Sequence, residues 1–350
     1  MSKGTVLVSG VNGYIGAVLA KHLLDNDYNV RGAVRRLASA ETLTSGPLKT
    51  YAESGAFTVV EVPDITADGA FDKAVEGVTA IAHLASPVSF AVTDPEPIIH
   101  AAVNGTKSIL ESALHAGPQL KSFAVLSSIA SVRNFTPAPY TFTEKDWNDW
   151  AEPAAAAQGK DAPWIAVYAA SKVAAEKAFW VFRDEKKPSF AMTALNPVFV
   201  IGPPLITPQT VADIGGTIRP IWNAFSGGEF PPPGMNPGVG DVVDVRDVAA
   251  QIEHIIAHPE QTNGERYISA ASITTPQSLA DVLRKAFPDA EGRIVKGTPG
   301  QGYSPDYQIL DQENEQVTDG SKAKALLSSG EYIPHEKSVI DTAKSFVHLI

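Results

Sequence analysis

The chain has 350 residues, 44% of them hydrophobic and 19% charged, enough to bury a large core. Its 28 basic and 39 acidic residues leave a net charge of −11, which argues against a general binder of nucleic acid or of anionic membranes, because both need clustered Lys and Arg. The absence of cysteine excludes disulfides and thiolate metal sites; no apolar run reaches membrane-spanning length, "MSKGTVLVSG" lacks the marks of a cleaved leader, and the expected compartment is the cytoplasm.

In chain order, "TVLVSG" predicts a buried strand and "IGAVLAKHLLDN" a helix. "YNVRGAVRR", "FTVVEVPDI" and "AIAHLAS" are the second, third and fourth strands. "VNGTKSILESALHAG" is a helix, and "KSFAVLSSIA" the fifth strand. After a connection containing Pro and Trp comes the helix "VYAASKVAAEKAF", then "FAMTALNPVFVIGP" as a sixth strand. This alternation predicts an α/β fold, a Rossmann-type doubly wound parallel sheet with right-handed crossovers. Pro and Gly concentrate after Gly202, in segments expected to be loops or lids. "DVVDVRDVAAQIEHIIAH" reads as a short strand and a helix, "GERYISAAS" as a last core strand, and "TPQSLADVLRKAF" as a helix. The expected division is a dinucleotide-binding domain over 1–200, to which 242–270 returns. A smaller substrate-binding lobe, 201–241 and 271–350, would cover the C-terminal edge of the sheet, where open α/β sheets bind ligands.

"GVNGYIG" carries Gly10, Gly13 and Gly16 between the first strand and the first helix. Glycine permits a sharp turn and close approach to a pyrophosphate, and a helix N-terminus favours negative charge. A glycine triplet alone also fits a tight turn with close packing; here its strand–turn–helix setting favours a dinucleotide. The second strand ends "GAVRR", where an NAD site usually places a carboxylate, yet none occurs until Glu41. Arg35 and Arg36 would instead attract a 2′-phosphate, with Ser39 as a further donor, so the expected cofactor is NADPH/NADP. Strand neighbours point to opposite faces, which makes Arg36 the better candidate for a solvated bystander.

Among nine tyrosines only Tyr168 has a lysine four residues on, Lys172, and that spacing puts both on one helix face. A phenol with a pKa of about 10 is a poor acid–base group at neutral pH. A nearby ammonium favours the phenolate, and one unit charge about 4 Å away at an effective dielectric near 20 supplies about 4 kcal/mol. Tyr168 is thus a candidate proton donor to a carbonyl oxygen, with Lys172 tuning it and holding ribose hydroxyls. The fifth strand ends "VLSSIAS", so Ser128 or Ser127 would hydrogen-bond the oxygen as charge develops. A serine pair at a strand end is more often structural; its company reverses that reading.

"GVNGYIG", "PDI", "HLASP", "LSS", "YAASK" and "NPVFVIGP" together resemble the extended short-chain dehydrogenase/reductase family. Within it the chain is most similar to fungal NADPH-dependent methylglyoxal and carbonyl (aldehyde) reductases, and is related to plant dihydroflavonol reductases. The resemblance runs over nearly the full length and is patchy from Leu205 to Gly240. It implies roles by position. Gly10, Gly13 and Gly16, with backbone donors of Tyr14 and Ile15, would line the pyrophosphate. Arg35 would bind the 2′-phosphate, Asp64 and Ile65 the adenine, and Ile81, Leu84 and Ala85 would border the cofactor. Pro197 and Val200 would contact the nicotinamide side. Ser128, the second serine, would be catalytic with Tyr168 and Lys172. Ser9 stands where many relatives have Thr and keeps the hydroxyl.

Phe90, Val198, Phe199, Trp222 and Phe225 are the apolar candidates for a substrate pocket, and as a group they suit a small-molecule carbonyl compound. The expected reaction is NADPH-dependent reduction of an aldehyde or ketone to an alcohol. Alternatives are a dihydroflavonol-reductase-like or hydroxysteroid-dehydrogenase-like oxidoreductase with a bulky substrate, a nucleotide-sugar epimerase or dehydratase, and a redox sensor that binds NADP without chemistry. No metal site is expected: His254 and His258 lack a third ligand and read as helix-surface residues. No GxSxG elbow supports a hydrolase. Asp244, Arg246 and Asp247 read as a structural charge network, and Trp147, Trp150 and Trp164 as packing residues, the last edging the pocket. Neither nucleic acid nor membrane is an expected partner, and the chain would be a monomer or homodimer.

Overall fold

The computed structural model describes residues 2–86, 94–231, 240–311 and 313–350. The principal elements are β1 (Thr5–Ser9), α1 (Tyr14–Asp25), β2 (Asn29–Val34), β3 (Phe57–Glu61), β4 (Ala80–His83), α2 (Pro95–Leu114) and β5 (Ser122–Leu126). They continue with β6 (Tyr140–Phe142), α3 (Trp164–Lys186), β7 (Ala191–Pro197), β8 (Phe199–Ile201), α4 (Arg219–Phe225), β9 (Gly240–Asp244) and α5 (Val245–Ala257). The chain ends with β10 (Arg266–Ser269), β11 (Ser272–Thr274), α6 (Pro276–Ala286), β12 (Gln316–Thr318) and α7 (His335–Lys344).

Seven strands form one parallel sheet in the order β10-β7-β5-β4-β1-β2-β3. The strand order reverses on either side of β1 and β4, so a crevice opens over their C-terminal ends. This is the Rossmann-type sheet expected from the alternating pattern. Its inner strands, such as β4 and β7, are buried on both faces, which is why they read as continuous apolar runs, whereas the edge strand β3 is partly exposed. One face packs on α1 and α5, through Leu19, Leu23, Val248 and Ile252. The other packs on α2 and α3, through Ile109, Leu110, Phe179 and Phe182 around Phe123.

Local chemistry marks the helix starts. Asp94 accepts from the Glu96 N–H, with Pro95 in the first turn of α2. Thr275 and Ser278 form a reciprocal cap on α6, also followed by Pro. Asp244 caps α5, and Arg246 returns to it through Nε and Nη2 while Nη1 reaches Asp341 on α7 at 2.8 Å. That charge network ties α5 to the C-terminal helix.

The expected sixth strand is two. β7 ends at Pro197, which has no N–H to continue a ladder. β8 leaves the main sheet and pairs with β9, which pairs with β11. "GERYISAAS" supplies β10, which joins the main sheet beside β7. Ile201, Val242, Leu279, Val339 and Phe346 make a separate apolar cluster, where α4, α6 and α7 meet the three-stranded sheet.

Candidate active site

The glycine turn sits at the end of β1, at the mouth of the crevice. Gly10 has φ of +68°, a left-handed conformation, and a Cβ there would lie 3.2 Å from the Ala85 backbone. At Gly16 a Cβ would come within 2.3 Å of the Gly10 carbonyl oxygen, so α1 reaches the turn only because that position is glycine. Gly13 is the N-cap of α1 and is exposed; a Cβ there meets only the Gly10 carbonyl oxygen, at 3.2 Å. The N–H groups of Tyr14, Ile15 and Gly16 lie in the first helical turn, which has no intrahelical acceptors, and so they are available to an anion. The Tyr14 hydroxyl donates to the Gly202 carbonyl at 2.7 Å, pinning the turn to the end of β8.

A cavity of about 790 Å³ runs from this turn across the ends of β2 and β3. Gly10, Arg35, Arg36, Ser39, Asp64, Ile65 and Ala85 are among its lining residues. Both arginines are exposed, and among the described residues neither forms an ion pair within 4.0 Å. The nearby Glu61 carboxylate is engaged, accepting from the Leu37 N–H at 2.9 Å. Asp64 accepts from the N–H and hydroxyl of Thr66, which hold its carboxyl below the usual range. Arg31 points elsewhere and donates to the carbonyls of Ala74 and Glu76.

The floor of the crevice has a feature that motif reading missed. Buried Ser9 accepts from the N–H groups of Leu84 and Ala85, and its Oγ lies 2.8 Å from Nδ1 of His83. Burial, with the positive charge of Lys172 added, pushes the His83 imidazole down to about 3. The signal was only the histidine in "AIAHLAS", a polar residue in an otherwise apolar strand.

Tyr168, Lys172 and Ser128 converge. The Tyr168 hydroxyl donates to Ser128 Oγ at 3.4 Å, and Lys172 Nζ lies 5.9 Å from the Tyr168 ring centroid. Ser128 Oγ also accepts from the Ala130 N–H at 3.1 Å. Those two donors fill the lone pairs of the hydroxyl and leave its proton for a third group. The structure separates the two serines. Ser127 turns inward and donates to buried Glu176 at 2.5 Å, whereas Ser128 faces the tyrosine. The Trp164 ring, 53% exposed, lies 5.9 Å from the Tyr168 ring and borders the site.

Other expected site residues lie elsewhere. Ile81 is fully buried in the core on the α2/α3 face of the sheet, while strand alternation puts Ala82 in the core on the α1/α5 face. Trp222 and Phe225, 8% and 1% exposed, pack on Phe346 in the lobe core and do not line an open pocket. Val198 and Val200 are buried in the cluster around α1 and α5, and Pro197 is buried at the end of β7. Phe199 is partly buried against the lobe core. Phe90 lies outside the described residues. A second cavity, about 440 Å³, abuts the glycine turn and is lined by Gly13, Tyr14, Leu205, Ile206 and Ile218. Leu205 and Ile206 were read only as part of a loop, because a Pro-rich segment carries no periodicity that orients its side chains.

The model of the NAD dependent epimerase/dehydratase family matches residues 6–270. The chain belongs to that family. Its relatives in the family include the protein GRP2 of Candida albicans, 34% identical over 99% of each chain. The NADPH-dependent methylglyoxal reductase GRE2 of Saccharomyces cerevisiae is 33% identical over 85% of this chain and 87% of its own. The solved structure of yeast methylglyoxal/isovaleraldehyde reductase Gre2 complexed with NADPH superposes with a TM-score of 0.83, at 30% identity, over 99% of this chain and 100% of that one. The resemblance to extended short-chain dehydrogenases/reductases therefore holds at the level of family and fold.

Proposed function

We propose that this family member reduces aldehydes and ketones to alcohols with NADPH. Carbonyl reduction is supported by relatives named NADPH-dependent methylglyoxal reductase and aldehyde reductase. The observation that carries the reading is the Tyr168 hydroxyl 3.4 Å from Ser128 Oγ, with the Lys172 ammonium beside the ring.

The residues present fit the cofactor: a glycine turn that a Cβ at Gly10 or Gly16 would fill, free first-turn N–H groups, and two exposed arginines that form no ion pair within 4.0 Å among the described residues. Tyr14, Ile15 and Gly16 would hold the pyrophosphate through their backbone, Arg35 and Arg36 the 2′-phosphate, and Asp64 and Ile65 the adenine side. Bound NADPH supplies the hydride. Ser128 would donate a hydrogen bond to the substrate oxygen and orient it, keeping its own proton. Tyr168 delivers a proton to that oxygen, and Lys172 offsets the charge left on the phenol and holds ribose hydroxyls. Residues 201–241 and 271–350 would form the substrate-side lobe, with 1–200 and 242–270 as the cofactor domain. Among the described residues no helix is long and apolar enough to cross a membrane, and we assign the chain to the cytoplasm as a monomer or homodimer.

The test is NADPH and NADH oxidation with small aldehydes, aromatic ketones and β-keto esters, with product analysis. Alcohol formation at the expense of NADPH is expected. Isomerisation without net cofactor turnover would identify the epimerase alternative. Tyr168→Phe should lower kcat about 10²- to 10⁴-fold; full activity in that variant refutes the proton-donor assignment.

A further inference from the structure

Glu176 lies one turn beyond Lys172 and two beyond Tyr168 on α3, and the residue is 2% exposed. Its Oε2 accepts from Ser127 Oγ and Ser131 Oγ at 2.5 Å and from Asn196 Nδ2 at 2.7 Å. Its Oε1 accepts from Arg266 Nε at 2.6 Å and Trp180 Nε1 at 3.4 Å. Three of these donors belong to elements around the catalytic serine. Ser127 precedes it, Ser131 closes the turn after it, and Asn196 stands on β7 beside it. The Asn196 amide also donates to the Ser128 carbonyl at 3.2 Å, and Ser131 Oγ lies 2.8 Å from the same oxygen. The helix that presents Tyr168 therefore grips both flanks of Ser128 through one carboxylate.

A buried ion pair is a weak source of stability, because desolvation cancels most of the attraction. Arg266 neutralises Glu176 but is itself tightly held, donating to the carbonyls of Glu144 and Asp146 and resting on the Trp147 ring at 4.0 Å. What the cluster does supply is geometry. The Tyr168–Ser128 contact joins residues 40 positions apart, on different elements. A 1 Å error in such a contact costs about 10²-fold in rate.

We propose that Glu176 is a positioning residue for carbonyl reduction. Through Ser127, Ser131 and Asn196 it locks the turn carrying Ser128 to the helix carrying Tyr168, and so keeps the two hydroxyls within reach of one substrate oxygen. The proposal rests on the assignment of Tyr168 and Ser128 above.

In Glu176→Gln the amide would satisfy Arg266 with its oxygen and turn its NH₂ toward the serines. Asn196 would then have to reverse, presenting Oδ1, which has no partner in the structure, and releasing the Ser128 carbonyl. Because this variant leaves Arg266 without a counter-charge and is at risk of misfolding, Asn196→Ala serves as the second: it removes the link to Ser128 and keeps the ion pair. The readouts are kcat, KM, NADPH affinity by fluorescence, and the solvent deuterium isotope effect on kcat. In Asn196→Ala, and in Glu176→Gln where it folds, kcat should fall about tenfold to a hundredfold. NADPH affinity should stay within about twofold, and the isotope effect should rise as proton transfer slows. A loss of active protein alone would leave KM and the isotope effect untouched. If Tyr168→Phe and Ser128→Ala lose activity while Asn196→Ala keeps its kcat and isotope effect, the positioning role is refuted and the site assignment stands. If Tyr168→Phe and Ser128→Ala stay fully active, both fall together.

Discussion

Replacing Ser9 with alanine tests the crevice floor one atom at a time. The Ser9 oxygen accepts from the Leu84 and Ala85 N–H groups at 2.9 and 3.0 Å and lies 2.8 Å from His83 Nδ1. A hydroxyl has two lone pairs and one proton. The amides fill the lone pairs, so the proton points at Nδ1, and the imidazole proton sits on Nε2. A neutral imidazole is required for this, and burial holds His83 neutral down to about pH 3. Ser9→Ala orphans two amides and one ring nitrogen. At about 1–2 kcal/mol for each of these three unmatched buried or part-buried groups, the loss is about 3–6 kcal/mol. Ser9→Thr keeps every bond and should cost less than about 1.5 kcal/mol, the added methyl being its only burden. Equilibrium denaturation in urea at pH 7.5 measures both. NADPH fluorescence titration provides a second readout, because Ala85 lines the cavity proposed to hold the cofactor. A loss below about 1 kcal/mol in Ser9→Ala would refute the bonding scheme. The same scheme sets a pH window. His83 binds its proton more weakly folded, near 3, than unfolded, near 6.5. Its contribution is therefore complete above about 6.5 and is lost as pH falls toward 3.

The remaining predictions concern charge. On the proposed 2′-phosphate role of Arg35, Arg35→Ser would remove a charge-assisted bond worth about 1.5–3 kcal/mol, so KM for NADPH should rise about tenfold to a hundredfold while KM for NADH stays level; an equal rise for both cofactors contradicts 2′-phosphate recognition. Burial, with the Asp244 charge adding to it, pushes the Asp247 carboxyl up to about 7. The folded chain binds that proton more tightly than the unfolded one, so stability falls as pH climbs from about 4 to about 7 and stays lower above it. Asp247→Asn should therefore gain about 2–4 kcal/mol relative to the parent at pH 8 compared with pH 4.5. Parallel urea midpoints at the two pH values would sink the assignment.

Much of this protein could be read from local pattern. Strand and helix order follows from apolar periodicity and turn residues, which act between near neighbours in the chain. The glycine turn and the Tyr168–Lys172 spacing are equally local: one depends on backbone freedom at Gly10 and Gly16, the other on the helical repeat. What long-range contact decides was not legible there. "NPVFVIGP" is one apolar run, yet its two halves enter different sheets, because β9 and β11 claim β8 while β10 claims β7. Trp222 and Phe225 have the chemistry of pocket walls, but they meet Phe346, more than 100 residues on, and close a core. "SSIAS" offers three serines of like chemistry. Only the arrival of α3 turns Ser128 toward Tyr168 and gives Ser127 and Ser131 to Glu176. Sequence by itself determined which elements form and which reactive groups exist, through forces that act within a few residues. The tertiary structure decided which of those groups face one another, because partners 40 to 90 positions apart, such as Tyr168 with Ser128 and Arg266 with Glu176, meet only once the sheet order is set.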